Sequence, residues 1–402
     1  MSARSRRGVH PSFPVSEDYR RSANITVVRV NHRALERLLI HNYNCGKNAI
    51  FIWGGIGIGK STTVRRTSQK LASLTRREFI DWNRANGCLK KKVIEDPGEY
   101  FVFIDIRLSQ YDPSDLKGLP DLRSEFVTWR PPMWFYILTL PQSAGILFLD
   151  ELNHAPPMIQ SAAFQLILDR CLGEYSLSDG VMVVAAGNRP EDSTAVFKMS
   201  KALENRFLHV ELKAPTFEEW EKWALENDID PRIIAFLRLK PDLLYVENGS
   251  GPAYPTPRAW EFASNLIKGV EDPDDVEMYV ASAVGFGAAR EFREFLRFSQ
   301  IRIEEILENP EILNESRYRR MDVRAVIAYS LGSYFKMHKT RDVLRKIIRV
   351  LRYFNPEFRM VVIKHLKIVD EGMLEEEAMG NPELVRMLEL LNEAMEGDGY
   401  EG

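Results

Sequence analysis

Cysteine is scarce in this chain of 402 residues: Cys45, Cys88 and Cys171 stand alone. No CxxC pair and no cysteine–histidine spacing is present, which excludes a disulfide scaffold and a structural zinc site and fits a reducing compartment, with the cytoplasm expected. The seven histidines (10, 32, 41, 154, 209, 338 and 365) form no HExxH or other ligand spacing. Neither sign of charge is in excess: 54 Lys and Arg against 57 Asp and Glu leave a formal net charge of -3, so no global positive field recruits nucleic acid or an anionic membrane. Apolar runs such as Trp134 to Leu140 and Ile146 to Leu149 break well before the roughly 18 residues of a membrane span, so no insertion is expected. Internal repeats and low-complexity tracts are missing. With 45% hydrophobic and 10% aromatic residues, the remainder is ordinary globular composition, long enough for two or three domains.

Residues 1–23 carry Arg4, Arg6, Arg7, Arg20 and Arg21 without an apolar segment and read as a flexible basic arm rather than a targeting peptide. From 24 to 213, short apolar runs alternate with helical periodicity, the pattern of a parallel sheet covered on both faces. Five buried strands are expected at Ala49 to Trp53, Tyr100 to Ile106, Gly145 to Asp150, Val181 to Ala186 and Phe207 to Leu212. After Ala214-Pro215 only helices follow. Their starts are marked by the Thr216/Glu219 capping box, Thr256-Pro257, Asp272-Pro273, Asp322, Thr340, Asn355-Pro356 and Asn381-Pro382. The expected division is a core at 24–213, a helical lid at 214–300 and a helical extension at 301–402 with an acidic tail.

Gly54-Gly55-Ile56-Gly57-Ile58-Gly59-Lys60-Ser61 fits G-x-x-x-x-G-K-[ST] and lies between an expected strand and an expected helix. Glycines there let backbone N–H groups face phosphates while the helix N-terminus adds its positive dipole end. Lys60 would reach the terminal phosphates of ATP, Ser61 would ligate Mg²⁺, and Thr62 would follow in the first helical turn. A second apolar strand ends in Asp150-Glu151, and in an open parallel sheet that end meets the same edge as the phosphate loop. Asp150 would hold Mg²⁺ through water, and Glu151 would polarise an attacking water. A small-molecule kinase needs no such glutamate, so the pair favours hydrolysis. The next strand ends at Asn188, whose carboxamide can bridge phosphate and water without adding charge.

These features in this order resemble an AAA+ ATPase, and the MoxR branch in particular, over roughly Asn24 to Gln300. Met199 to Phe207 is similar to the helix end that presents an arginine finger to the neighbouring subunit, which implies that Arg206 acts in trans. Tyr254 to Trp260 resembles the second sensor of the lid, which implies that Arg258 touches the γ-phosphate. Asp105 to Leu108 followed by Asp112 to Pro120 is similar to MoxR proteins with an interrupted core helix, and Glu151 to Pro157 resembles their DE-x-N-x-A-P-P segment. Cys171 to Met182 stands where the hairpin before the first sensor would be. Two departures are the missing proline after the first glycine of GGIGIGKS and His154 in place of arginine. The resemblance implies a homo-oligomeric ring, hexameric, that remodels a protein partner, a von Willebrand factor A-domain protein among the candidates. The alternative is a nucleic-acid-directed motor of the same fold.

Three further features read as structural. Lys90-Lys91-Lys92 is expected in a solvated connecting loop. Arg341, Arg345, Arg349 and Arg352 share one face of an amphipathic helix, which reads as a solvated stripe able to meet an acidic partner, nucleic acid or this chain's own acidic tail. Trp129 and Trp134 are expected to pack the insert between Asp112 and Trp134.

Overall fold

A computed structural model describes residues 27–122, 128–189, 197, 199–247, 249, 251–297 and 302–397. The expected basic arm, 1–23, and the end of the acidic tail lie outside them. Eleven strands are described: β1 (Val28–Val30), β2 (Ile50–Trp53), β3 (Glu78–Asp81), β4 (Tyr100–Arg107), β5 (Leu119–Asp121), β6 (Thr128–Arg130), β7 (Ala144–Asp150), β8 (Cys171–Leu172), β9 (Tyr175–Ser176), β10 (Gly180–Gly187) and β11 (Leu208–Leu212). Seven form one sheet in the order β1-β11-β2-β10-β7-β4-β3, and every pair in it is parallel. The expected five are its middle; β1 and β3 extend it to seven by adding the two edges.

Alternation along the strands builds two apolar layers. Ile50, Ile52, Phe103, Ile146, Phe148 and Val184 face the helices His32–Cys45 and Lys60–Leu74, where Leu35, Leu39, Val64 and Leu71 meet them. Phe51, Val102, Ile104, Leu147, Leu149 and Val183 face the other way, onto Phe135 and Leu138 of Met133–Thr139 and Ile159 and Leu166 of Pro157–Leu168. Truncating one fully buried ring, such as Phe148 to alanine, would cost about 3–5 kcal/mol. Two antiparallel hairpins, β5-β6 and β8-β9, stand off the sheet; the second is the hairpin expected between Cys171 and Met182. The Trp129 N–H donates to Glu174 Oε1 across 2.9 Å and joins them. Trp134 is buried as expected, whereas Trp129 is 40% exposed. Lys90-Lys91-Lys92 lies on a helix, Gly87–Glu95, not in a loop, because the Asn86 side chain caps it by accepting from the Leu89 N–H.

Past β11 the described chain is helical. Thr216 and Glu219 make the expected reciprocal cap of Phe217–Glu226, and Thr256, Asp272, Thr340, Asn355 and Asn381 accept from backbone N–H groups at the next helix starts. One continuous apolar core runs from Phe217 to Leu391, so residues on both sides of 300 share it. A buried carboxylate stitches four of its helices together. Glu221 of Phe217–Glu226 accepts from the Tyr329 hydroxyl of Met321–Met337, from Arg238 of Pro231–Leu239 at 3.3 Å, and from Lys364 of Pro356–Ala378. Two arginines of the basic stripe are taken by the chain's own acidic segment: Arg341 pairs with Glu376, and Arg345 with Glu377 at 2.6 Å. Arg349 and Arg352 are exposed. No described helix is long and apolar enough to cross a membrane.

Candidate functional site

The site is assembled at the carboxyl ends of β2, β10, β7 and β4, four neighbours at the centre of the sheet. Chain order separates these ends by over a hundred residues; parallel pairing delivers them to one edge. β2 feeds the loop 54–59, and Lys60 opens the helix Lys60–Leu74. The loop curls tightly, with Gly57 at φ 72° and Gly59 at φ 96°, conformations that a side chain would strain. Three neighbours press on it. His32 Nε2 donates to the Ile58 carbonyl at 2.7 Å. A Cβ on Gly55 would lie 2.1 Å from the Tyr245 hydroxyl, and one on Gly57 would lie 2.9 Å from Thr256 Oγ1.

Lys60 Nζ donates to the carbonyls of Gly54 and Gly55, both at 2.8 Å, and to Asn188 Oδ1 at 3.0 Å. The lysine that opens the helix and the carboxamide just past β10 therefore meet. Asn188 is anchored in turn, since Asn153 Nδ2 donates to its carbonyl at 2.7 Å. Asp150 ends β7 opposite Arg107 in register. Burial holds its carboxyl above the ordinary range, with the Lys60 ammonium and the Glu151 backbone N–H opposing that shift. Glu151 adopts a left-handed backbone, φ 56°, and its Oε2 accepts from Ser109 Oγ at 2.6 Å.

Arg258 lies in the first turn of Pro257–Ile267, beside the apex of the loop: its N–H points at the Gly57 carbonyl across 3.4 Å, and its Cβ is 3.4 Å from where a Gly57 Cβ would sit. Arg206 is elsewhere. It is exposed and precedes β11, whose Leu208 is in register with Ile50, so it stands at the opposite edge of the sheet from the loop. Six residues of strand rise separate the two levels, about 20 Å.

Ser109, His32 and Tyr245 contribute without having been singled out in the sequence, and Asp105, part of the segment Asp105 to Leu108, contributes without having been given a role. Asp105 stands two residues before the end of β4. Burial first, then the neighbouring Asp150 charge, pushes its carboxyl up to about 6 against the pull of Arg107, and its Oδ1 is buried without a hydrogen-bond partner. A polar residue inside the apolar run FVFIDIR was the available clue.

No cage of three or more His, Cys, Asp or Glu exists among the described residues. The oxygen-only donors at this edge, the Ser61 hydroxyl and a half-buried Asp150 carboxylate that a cation would stabilise, fit a Mg²⁺ that draws its other ligands from phosphates and water.

No family model and no curated relative matches the chain. Solved structures similar to it include a point mutant of RuvB from Thermotoga maritima, at 14% identity over 77% of this chain and 78% of that one, TM-score 0.30. NtrX from Brucella abortus in complex with ADP is similar at 13% identity over 94% and 72%, TM-score 0.30. PCH-2 of C. elegans is similar at 11% identity over 63% and 67%, TM-score 0.29. Likeness at this level carries no weight for activity. The fold rests on the chain's own geometry: a parallel sheet layered by helices, a glycine-rich loop leaving a central strand into a helix, and a helical region beyond, which together are an α/β P-loop architecture.

Proposed function

We propose that this chain is a MoxR-type AAA+ ATPase that hydrolyses ATP between the subunits of a homo-oligomeric, hexameric ring and uses lid movement to remodel a protein partner. The observation that supports it most is the Lys60–Asn188 contact, which brings a phosphate-binding cation and an uncharged water-positioning group together beside Asp150 and Glu151. In this reading the nucleotide-binding core is 24–213 and the lid 214–300. The lid and the extension 301–402, sharing one apolar core, move together.

Each residue has a task in this reading. Loop N–H groups from Gly54 to Ser61, with Ile56 and Ile58 lining the curl and Thr62 after it, cradle the phosphates. The Lys60 ammonium trades its carbonyl and carboxamide partners for phosphate oxygens. Bound Mg²⁺, held by Ser61 and Asp150, would supply neutralisation of phosphate charge. Glu151 accepts the proton of the attacking water once its carboxylate leaves Ser109, and Asn188 orients that water. Arg258 reads the phosphates within its own subunit. Arg206 supplies positive charge to the next subunit, where the transferring phosphoryl develops negative charge. A von Willebrand factor A-domain protein is the partner class that the resemblance offers.

Glu151→Gln tests the proposal. The variant should bind ATP with near-normal affinity and assemble, while turnover falls at least about 100-fold. Near-normal turnover would overturn the assignment of Glu151 as base. The same variant held in ATP should retain specific protein partners; ATPase stimulation by DNA that fades with salt would redirect the reading to a nucleic-acid motor.

A further inference from the structure

We propose that Arg189 is a positioning residue that couples Asn188 to the lid. The inference rests on the nucleotide-site reading above. Arg189 follows Asn188 by one peptide bond, at the end of β10, and its side chain is 25% exposed. It pairs with the buried Glu211 of β11, which also accepts from Arg29 of β1 at 3.1 Å, so its base is fixed in the sheet. Its Nη1 donates to Glu247 Oε1 at 2.7 Å. Glu247 belongs to the segment that leaves the lid to press on the phosphate loop.

That segment is built as a clamp. Leu244 is buried in the lid core, and its neighbour Leu243 accepts from Trp260 Nε1 at 2.7 Å. Tyr245 lies against Gly55, the Val246 N–H donates to the Pro255 carbonyl at 3.0 Å, and Thr256 and Arg258 close on Gly57. Asn188 touches Lys60 on one side, and Arg189 holds the clamp on the other. Any displacement of Asn188 as phosphate takes over Lys60 therefore reaches Glu247 through a single residue. The charge of Glu247 has no role in cradling phosphate, so the pair sets how long the clamp stays closed on bound nucleotide.

The test is ADP release from the full chain, followed with a fluorescent ADP analogue. Glu247→Gln removes one charge from a half-exposed position and leaves Arg189 paired with Glu211, so the thermal midpoint should stay unchanged. Release should accelerate about three- to five-fold, the scale of a partly exposed ion pair. In an Asn188→Ala background the same substitution should change release little, because the relay is already cut. Unaltered release in Glu247→Gln would overturn the coupling, and so would an equal acceleration in both backgrounds, which marks a tether independent of Asn188. Wild-type chain that binds neither ATP nor ADP would sink the nucleotide reading itself, whereas wild type that binds and hydrolyses beside an unaltered variant would sink the coupling alone.

Discussion

Ser109 donates from its hydroxyl to Glu151 Oε2 across 2.6 Å, tying the turn after β4 to the acidic end of β7. A hydrogen bond to a charged carboxylate is worth about 1.5–3 kcal/mol, and in the proposed mechanism it must break before Glu151 can accept the proton of the attacking water. Ser109→Ala should therefore free the base and raise partner-independent ATP turnover, by up to about ten-fold if half of that energy restrains the resting state. A steady-state assay decides it. A fall in turnover would mean that the hydroxyl aims Glu151 at its water instead of restraining it.

Arg206 and the loop 54–59 stand at opposite ends of adjacent strands, about 20 Å apart, so in the proposed ring the guanidinium serves the neighbouring subunit and not its own. Arg206→Ala should leave ATP affinity intact and lower turnover by about 10³-fold or more. Mixing gives the sharper test. Arg206→Ala blended with Glu151→Gln should recover activity, because an interface can then join an intact base from one subunit to an intact arginine from the next. A blend as inactive as its parents would remove the trans assignment.

Gly55 and Tyr245 offer a steric test of the loop. A Cβ on Gly55 meets the Tyr245 hydroxyl at 2.1 Å but the ring carbon beneath it at 3.2 Å, and Gly55 has no positive φ to forbid a side chain. Gly55→Ala should weaken ATP binding strongly, and adding Tyr245→Phe should restore much of it. Gly57→Ala, at φ 72°, should resist any such rescue because its strain is in the backbone. Titrating each variant with a fluorescent nucleotide separates the two cases; failure of Tyr245→Phe to help would show that the clash is not the cause.

Much of this arrangement is legible in the sequence. The central strands β2, β4, β7, β10 and β11 are continuous apolar runs, and β2, β7 and β10 end in chemistry-bearing residues, so a parallel sheet had to bring Lys60, Asp150 and Asn188 to one edge. The edges β1 and β3 were hidden because Val28–Val30 and Glu78–Asp81 are short and half polar, stabilised by pairing and not by pattern. The helix holding Lys90 to Lys92 was hidden by its charge, although Asn86 caps it. Ser109, His32 and Tyr245 could not be found locally. Each acts on a residue that the fold, not the chain, makes its neighbour. Half of the basic stripe met the acidic tail, one of the partners its charge allowed.

His365 gives the helical region beyond β11 a pH dependence of definite sign. Burial, reinforced by the nearby Lys336 ammonium, lowers its pKa to about 4; the Asp228 charge and the Tyr329 backbone oppose the shift without cancelling it. A Cβ on Gly332 would sit 2.1 Å from its Nδ1, so the ring has no space to swing toward water. The folded pKa lies below the ordinary 6.5, so between pH 4 and 6.5 the unfolded chain binds more protons. Stability is then complete above 6.5 and is lost on acidification, at up to about 1.4 kcal/mol per pH unit. Asp105 works the other way: its carboxyl is raised to about 6 from 3.8, so its folded form gains protons over that range and acidification relieves it. Wild-type urea midpoints should thus fall only gently from pH 7 to 5. His365→Gln should flatten or reverse that fall, and Asp105→Asn should be more stable at pH 7 and steeper toward acid. Parallel slopes for all three chains would show that neither buried group carries the pH dependence.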